Sequence, residues 1–460
     1  MNQKPLVNVY ISNLSEDVWP FISEISDTKE RRHEIEENAN LSDRDLFALS
    51  KTEKCVAILP KMIDEQFLSY YKNLFEITSL EILTPSTHSG ELSIDVMKDP
   101  RIISQLKLLS KTSRLSLASY TSSPQFIQLV KTLKNEGIEI VTPECPEEAD
   151  AWTVNFFGSK SGIRQLSQQS VNREPDLIMP NGLVSWGIVD SARIAANWYI
   201  TEGGVVLKTN KGHSGAGVLI FRPNDLPLDY LHCQERIMEH LSKDNYWSKF
   251  PIIIEKYVQP ATSIGGGFPN VEFKITASGR VELLYVCGMR VTKEGVFKGI
   301  EINEDILSDQ VKARIIDTGF YVGEHYKKEG YKGYFELDFI ASKTGDIFVT
   351  ESNVRRTGGT HVFHTAQALL GKDFMYHAYT LSNNLYTLPT VSPNSFRDLS
   401  TLLEPILFDK TSQEGIVIIS INLLTQNKFG YIIFGKTRQR ALEIELKMDQ
   451  LFVQYSRSKS

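Results

Sequence analysis

Between Tyr331 and His361 the chain reads YKGYFELDFIASKTGDIFVTESNVRRTGGTH, and four of its side chains, Glu336, Asp338, Glu351 and Asn353, are oxygen donors. Two alternating apolar runs, Tyr334–Ile340 and Ile347–Thr350, flank the turn-forming cluster Ser342–Asp346, which is the pattern of a β-hairpin. A two-residue turn at Thr344 and Gly345 places Asp338 opposite Glu351 and Glu336 opposite Asn353. Side chains alternate faces along a strand, so all four share one face. Directly opposed carboxylates repel, and a divalent cation removes that cost. Oxygen-only ligands point to magnesium or manganese, with Asp338, Glu351 and Asn353 as the metal set; a site with few protein ligands suits Mg²⁺ shared with phosphates. The plainer alternative is a solvated hairpin face carrying ordinary surface acids.

Other segments bear on that choice. Gly203–Leu207 leads through Lys208 into Lys211-Gly212-His213-Ser214-Gly215-Ala216-Gly217. Three glycines in six residues allow a tight loop whose amides approach phosphate oxygens, and Lys208 adds a point charge. No GK[ST] closes the loop, so it is not a Walker A motif; a flexible hairpin turn is the competing reading. Ile252–Ile254 runs into Glu255-Lys256-Tyr257-Val258, a strand end whose backbone suits an adenine edge, or a core strand with a polar end.

Taken in order, Lys160 (in FFGSKSG), Lys208, the glycine loop, EKYV, Asp338 and Glu351-x-Asn353 resemble the ATP-grasp superfamily of carboxylate–amine ligases, over about half the chain. The resemblance implies that two α+β subdomains hold ATP between them. It implies Lys160 and Lys208 as phosphate ligands and Gly212, His213, Ser214, Gly215, Ala216 and Gly217 as a phosphate lid. Glu255, Lys256, Tyr257 and Val258 would then line adenine, and Asp338, Glu351 and Asn353 would hold Mg²⁺. The form ESNVRRTGGTH, with a separate domain in front, is similar to the pheganomycin-type peptide ligases, which carry a pre-ATP-grasp N-terminal domain. Two positions depart from the pattern. Glu272 is the candidate for a ribose-binding acid, displaced by the insertion Pro260–Asn270. Glu336 stands where some relatives have an arginine, leaving Arg290 or Lys298 to stabilise the transferred phosphate. Arg355, on the face of Glu351 and Asn353, is suited to bind the substrate carboxylate or acyl phosphate, and Arg356 points the other way. His361 is a substrate contact or a structural histidine.

The implied reaction is amide formation between a carboxylate and an amino acid or peptide amine, through an acyl phosphate, with release of ADP and phosphate. The alternatives are a phosphotransferase on the same fold and a non-catalytic nucleotide-binding regulator.

These residues need elements to position them. The first 150 residues alternate strands (Leu6–Ile11, Cys55–Leu59, Leu80–Leu83, Leu115–Ser119, Ile138–Val141) with helices (Glu65–Phe75, Asp99–Leu109, Pro124–Asn135), which predicts an open, Rossmann-like parallel α/β domain lacking GxGxxG. It is expected to pack on the catalytic body and help shape the substrate cleft. The expected division is 1–150, an ATP-grasp body of two α+β subdomains at 151–375, and a small C-terminal α+β unit at 376–460 with strands Gly415–Leu423 and Lys428–Phe434 and a helix Arg438–Phe452. The 460 residues are 41% apolar and 23% charged with net charge −6, which suits globular domains and argues against nucleic-acid binding. Four isolated cysteines, with no signal-peptide core and no membrane-length apolar run, predict a cytoplasmic protein. A homodimer is the default expectation for such an enzyme.

Overall fold

A computed structural model describes residues 4–49, 54–212, 217–293 and 295–459. The chain opens with five parallel strands, β1 (Leu6–Ile11), β2 (Cys55–Ile58), β3 (Leu80–Leu83), β4 (Arg114–Ser119) and β5 (Ile140–Val141), ordered β3-β2-β1-β4-β5. The crossover helices start where local chemistry dictates: Asp64, Asp99 and Ser123 each accept a first-turn amide, and Pro100 and Pro124 occupy opening positions where no donor is needed.

Four antiparallel strands follow, β6 (Gly182–Ser185), β7 (Val205–Thr209), β8 (Val218–Phe221) and β9 (Ile252–Lys256), ordered β6-β9-β7-β8. The third sheet takes in β10 (Pro269–Ile275), β11 (Val281–Val291), β12 (Phe297–Ile302), β13 (Gly333–Ala341), β14 (Ile347–Asn353), β15 (Tyr379–Thr387), β16 (Gly415–Ser420) and β17 (Lys428–Gly435), in the order β14-β13-β10-β11-β12-β15-β17-β16.

This last sheet differs from the expected division at 375/376. β15, which the sequence reading did not identify, pairs with β12 through Glu301↔Leu381 and Ile302↔Thr380, so the C-terminal strands extend the catalytic sheet without a break. The physical reason is an edge: β12 ends the first part of the sheet with unpaired backbone groups, and β15 satisfies them. One buried cluster correspondingly joins Phe47 and Phe67 of the first domain, Ile300 of β12 and Leu381, Ile432 and Phe452 of the C-terminal unit. The C-terminal strand stops at Ser420 and the final helix extends over Arg438–Lys459.

The hairpin also differs in detail. Ser342 N donates to the Asp346 carbonyl, so the loop holds three residues, Lys343, Thr344 and Gly345, with Gly345 at φ +91°. Phe339↔Val349 and Ala341↔Ile347 follow that longer loop. A bulge at Thr350 then absorbs one residue, and Asp338↔Glu351 and Glu336↔Asn353 pair as expected. Thr350 Oγ1 donates to the Asp338 carbonyl at 3.1 Å and closes the bulge.

Because one sheet and one core run through both parts, Leu381→Ala (fully buried) is expected to cost about 2–5 kcal/mol. Urea unfolding followed by far-UV CD and by tryptophan fluorescence should give one coincident transition; separate transitions would show that the C-terminal unit unfolds by itself.

Candidate active site

Strand pairing builds two rows of polar side chains across β10, β13 and β14. One row is Asn270–Asp338–Glu351 and the other is Glu272–Glu336–Asn353. The rows lie where the second and third sheets meet the first domain, at a cavity of about 860 Å³. Glu336, Asp338, Glu351 and Asn353 all line it, as do Lys208, Gly212, Val206, Tyr257, Val258, Ile340 and Arg355.

The side chains of the rows hold one another. Asn353 Nδ2 donates to Asp338 Oδ2 at 2.9 Å, and Asn270 Nδ2 donates to Asp338 Oδ1. Burial, reinforced by Glu351, pushes the Asp338 carboxyl up to about 7; burial, reinforced by Asp338 and Glu272, raises Glu336 as well. Among the described residues no three acidic, histidine or cysteine side chains converge as a closed metal cage. The set offers two carboxylates and an amide, all hard oxygen donors, which fits a divalent cation completed by ligands from outside the protein.

Cations from three elements lie on or near these rows. Ser159 caps the helix Lys160–Ser170 by accepting from Gly162 N, which sets Lys160 at the first helical position; its Nζ lies 2.6 Å from Glu351 Oε1. Lys208 projects from β7 to within 2.6 Å of Glu255 Oε2. The other oxygen of Glu255 accepts from Arg164, a residue that no sequence motif marked. Glu255 is 2% exposed, so its carboxylate anchors Lys208 and Arg164 and leaves backbone, with Val206, Tyr257, Val258 and Ile340, to meet a planar ligand. Lys256 turns outward to Glu202 at 2.7 Å. Lys211 was also missed: it lies close to Asp17, Arg355 and Lys160, donates to Asn155 at 2.9 Å, and burial lowers its pKa.

Gly217 adopts φ +74°, and a Cβ there would meet Thr209 Oγ1 at 2.4 Å, so the end of the glycine loop demands glycine. His213, Ser214, Gly215 and Ala216 lie outside the described residues.

Three expected residues do not take the places expected of them. Arg290 pairs with Glu445 at 2.8 Å and donates to the Ser382 carbonyl, on the side of the sheet covered by the final helix. Lys298 is exposed on β12. Glu272 is fully buried within the row, accepting from Tyr285, Thr360 and Thr357, and cannot reach a ribose. Cys287 pairs with Asn270 and Tyr285 with Glu272, so plain alternation along β11 turns Arg290, three residues past Cys287, to the opposite face.

Arg355 ends the metal-side row. It donates to Asn353 Oδ1 at 3.0 Å and to Asp17 Oδ2 of the first domain at 2.7 Å. Arg356 does point the other way, into the domain junction, donating to the Ser119 carbonyl and to Glu144 and stacking on Tyr334. Burial raises the Glu144 carboxyl, but Arg356 and Lys274 outweigh it and hold it at about 2. His361 is buried and its pKa falls well below the usual value, chiefly by desolvation.

Two expectations follow. Glu255→Ala leaves Lys208 and Arg164 buried without their anion and should cost about 3–5 kcal/mol in denaturant unfolding. Asp338 has a folded pKa near 7 against an ordinary 3.8, so its contribution to stability is full below pH 4 and is lost as pH rises toward 7. Asp338→Asn should therefore raise the melting temperature of the ligand-free protein at pH 8 and lose that advantage near pH 4, as read by scanning calorimetry.

No family model matches the chain. In sequence it is similar to the L-propargylglycine–L-glutamate ligase of Streptantibioticus cattleyicolor, 22% identical over 347 residues. That stretch takes in 69% of this chain and 66% of the ligase, just under two thirds of the latter's length. In structure it is similar to an ADP complex of N5-carboxyaminoimidazole ribonucleotide synthetase (TM-score 0.56, 10% identity, 98% of this chain and 97% of that one). It is also similar to biotin carboxylase from Campylobacter jejuni (TM-score 0.56, 12% identity, 95% and 89%) and to N5-carboxyaminoimidazole synthase from Aspergillus clavatus (TM-score 0.55, 11% identity, 98% and 99%). All are ATP-grasp proteins, and the fold of this chain is the ATP-grasp fold.

Proposed function

We propose that the protein is an ATP-dependent carboxylate–amine ligase that forms an amide bond to an amino acid or peptide amine. The observation that carries this reading is the convergence of two carboxylate-bearing rows and Lys208 on one cavity between the sheets, with Lys160 paired to Glu351 of its wall and Lys211 close to Lys160 and Arg355. Phosphoryl transfer needs positioning and charge neutralisation, and this constellation supplies both. The sequence relative is named for ligation of one amino acid to another, and two of the structural relatives were solved with ADP, which agrees with the reading.

In the proposed reaction ATP lies with its adenine against Val206, Tyr257, Val258 and Ile340 and its phosphates toward the lysines. Asp338, Glu351 and Asn353 would hold Mg²⁺, which when bound neutralises phosphate charge. An oxygen of the substrate carboxylate attacks the γ-phosphorus, and the bond to the β-phosphate oxygen breaks to release ADP. The amine then attacks the acyl carbon of the acyl phosphate; phosphate leaves with the C–O bonding pair and the amine gives up a proton. Lys160 and Lys208 shield the transferred oxygens. Arg355, aimed from Asn353 toward the first domain, orients the acyl phosphate.

The test is ADP and phosphate release from the protein with MgATP and pools of amino acids. Turnover should require an added acid or amine and fall by about 10²-fold or more in Lys208→Ala or Glu351→Ala, as for removal of a single charge-stabilising group. Unaltered turnover in these folded variants would refute the site.

A further inference from the structure

At the end of the cavity formed by the first domain, a set of polar atoms is not used by the reading above. Arg44 belongs to the 3-10 segment Leu41–Leu49 and is 6% exposed, yet it lines the cavity. Its Nε has no hydrogen-bond partner, and none of the ion pairs among the described residues involves it. The neighbouring acid, Asp45, is committed to the hydroxyls of Ser12 at 2.6 Å and Tyr10 at 3.1 Å. Asn384, also on the cavity wall, donates to the Gly358 carbonyl and lies beside the buried His361. Arg44 and the adjacent Asp45 attract one another without a direct ion pair, so the guanidinium keeps a planar fork of donors that faces the cavity and matches a carboxylate.

The surroundings restrict what that carboxylate is attached to. Leu14, Leu41 and Tyr120 pack as one apolar cluster with Leu385 against it, and all four line this end of the cavity. Arg355 spans from Asn353 in the carboxylate rows to Tyr120 Oη at 3.3 Å, and both Arg355 and Arg44 bear on the Tyr120 phenol. The path from the phosphate lysines to Arg44 thus passes Arg355 and Tyr120. A carboxylate held at Arg44 lies beyond the group that orients the acyl phosphate, so it is not the one that reacts with ATP.

We propose that the amine substrate is an α-amino acid with an apolar side chain, its unreacted α-carboxylate held by Arg44 and its side chain laid on Leu14, Leu41 and Leu385. This rests on the ligase reading and deepens it. The α-carboxylate serves as the handle that directs the amine toward Arg355 and the acyl carbon, and the acceptor pocket is supplied by the first domain.

The test is calorimetric titration of the MgADP-saturated protein with L-leucine, L-norvaline and L-methionine, and with the three corresponding amides. At least one amino acid should bind, and its amide, which lacks the carboxylate charge, should bind about 10- to 100-fold more weakly, the loss of one charge-assisted contact. Arg44→Met should abolish that discrimination while keeping the affinity for MgADP, and Arg44→Lys should restore part of it. Unchanged MgADP affinity shows that each variant is folded. The proposal is overturned if none of the three amino acids binds the MgADP-loaded protein, or if the discrimination survives in Arg44→Met. Failure of the wild-type protein to bind MgADP at all would overturn the ligase reading itself, and with it this one.

Discussion

Negative charge crowded on a single sheet face governs this molecule. Asp338 faces Glu351, Glu336 sits between Glu272 and Asn353, and the pleat holds these groups at strand spacing, where like charges destabilise the pairing. Ordinary β-structure disperses such groups or exposes them; here burial amplifies the repulsion, as the raised carboxyls of Glu272, Glu336 and Asp338 record. Much of the surrounding architecture supplies positive charge and hydrogen-bond donors to that face. Lys160 arrives on a capped helix, Asn270 on the adjoining strand, Thr357 and Thr360 from the turn after β14, and Arg355 from two residues past the end of β14.

The same need ties the first domain to the body. Arg355 and Arg356 are consecutive, and an extended backbone sends them in opposite directions, one to Asp17 and the other to Ser119 and Glu144. Both land on the first domain, at opposite sides of Tyr120. The domain that carries no nucleotide fingerprint is therefore fixed against the acidic rows by two buried guanidiniums. That fixed contact makes it a wall of the cavity.

How far the sequence disclosed this depends on the range over which each constraint acts. The pairing of Asp338 with Glu351 was legible because alternation is local, yet it held through two compensating departures: a loop one residue longer than expected and a one-residue bulge at Thr350. Arg290 and Glu272 failed because hydropathy does not say which face of a strand meets the site or how deep it lies: alternation turns Arg290 away from the rows, and burial closes Glu272 within them. Arg164, Lys211, Asn270 and Arg44 carry no motif; each matters only because distant elements fold against it. Lys211 came nearest to being read, as it opens the glycine loop. β15 escaped notice because its run YTLSNNLYT places Ser382, Asn383 and Asn384 where a buried strand normally shows aliphatic residues.

The eight-stranded sheet bears on biosynthesis. Its edge at β12 is translated some eighty residues before β15, and the core that covers both also draws on Phe47 and Phe67 near one end of the chain and Phe452 near the other. A nascent chain that has emerged through Val354 already has the acidic rows and the buried cluster behind them, but not the core that covers β12 and β15. Contacts this distant in sequence are slow to form and leave apolar strands exposed meanwhile. Consolidation of that core therefore waits on the final helix, and a fragment that stops short of it leaves apolar strands uncovered.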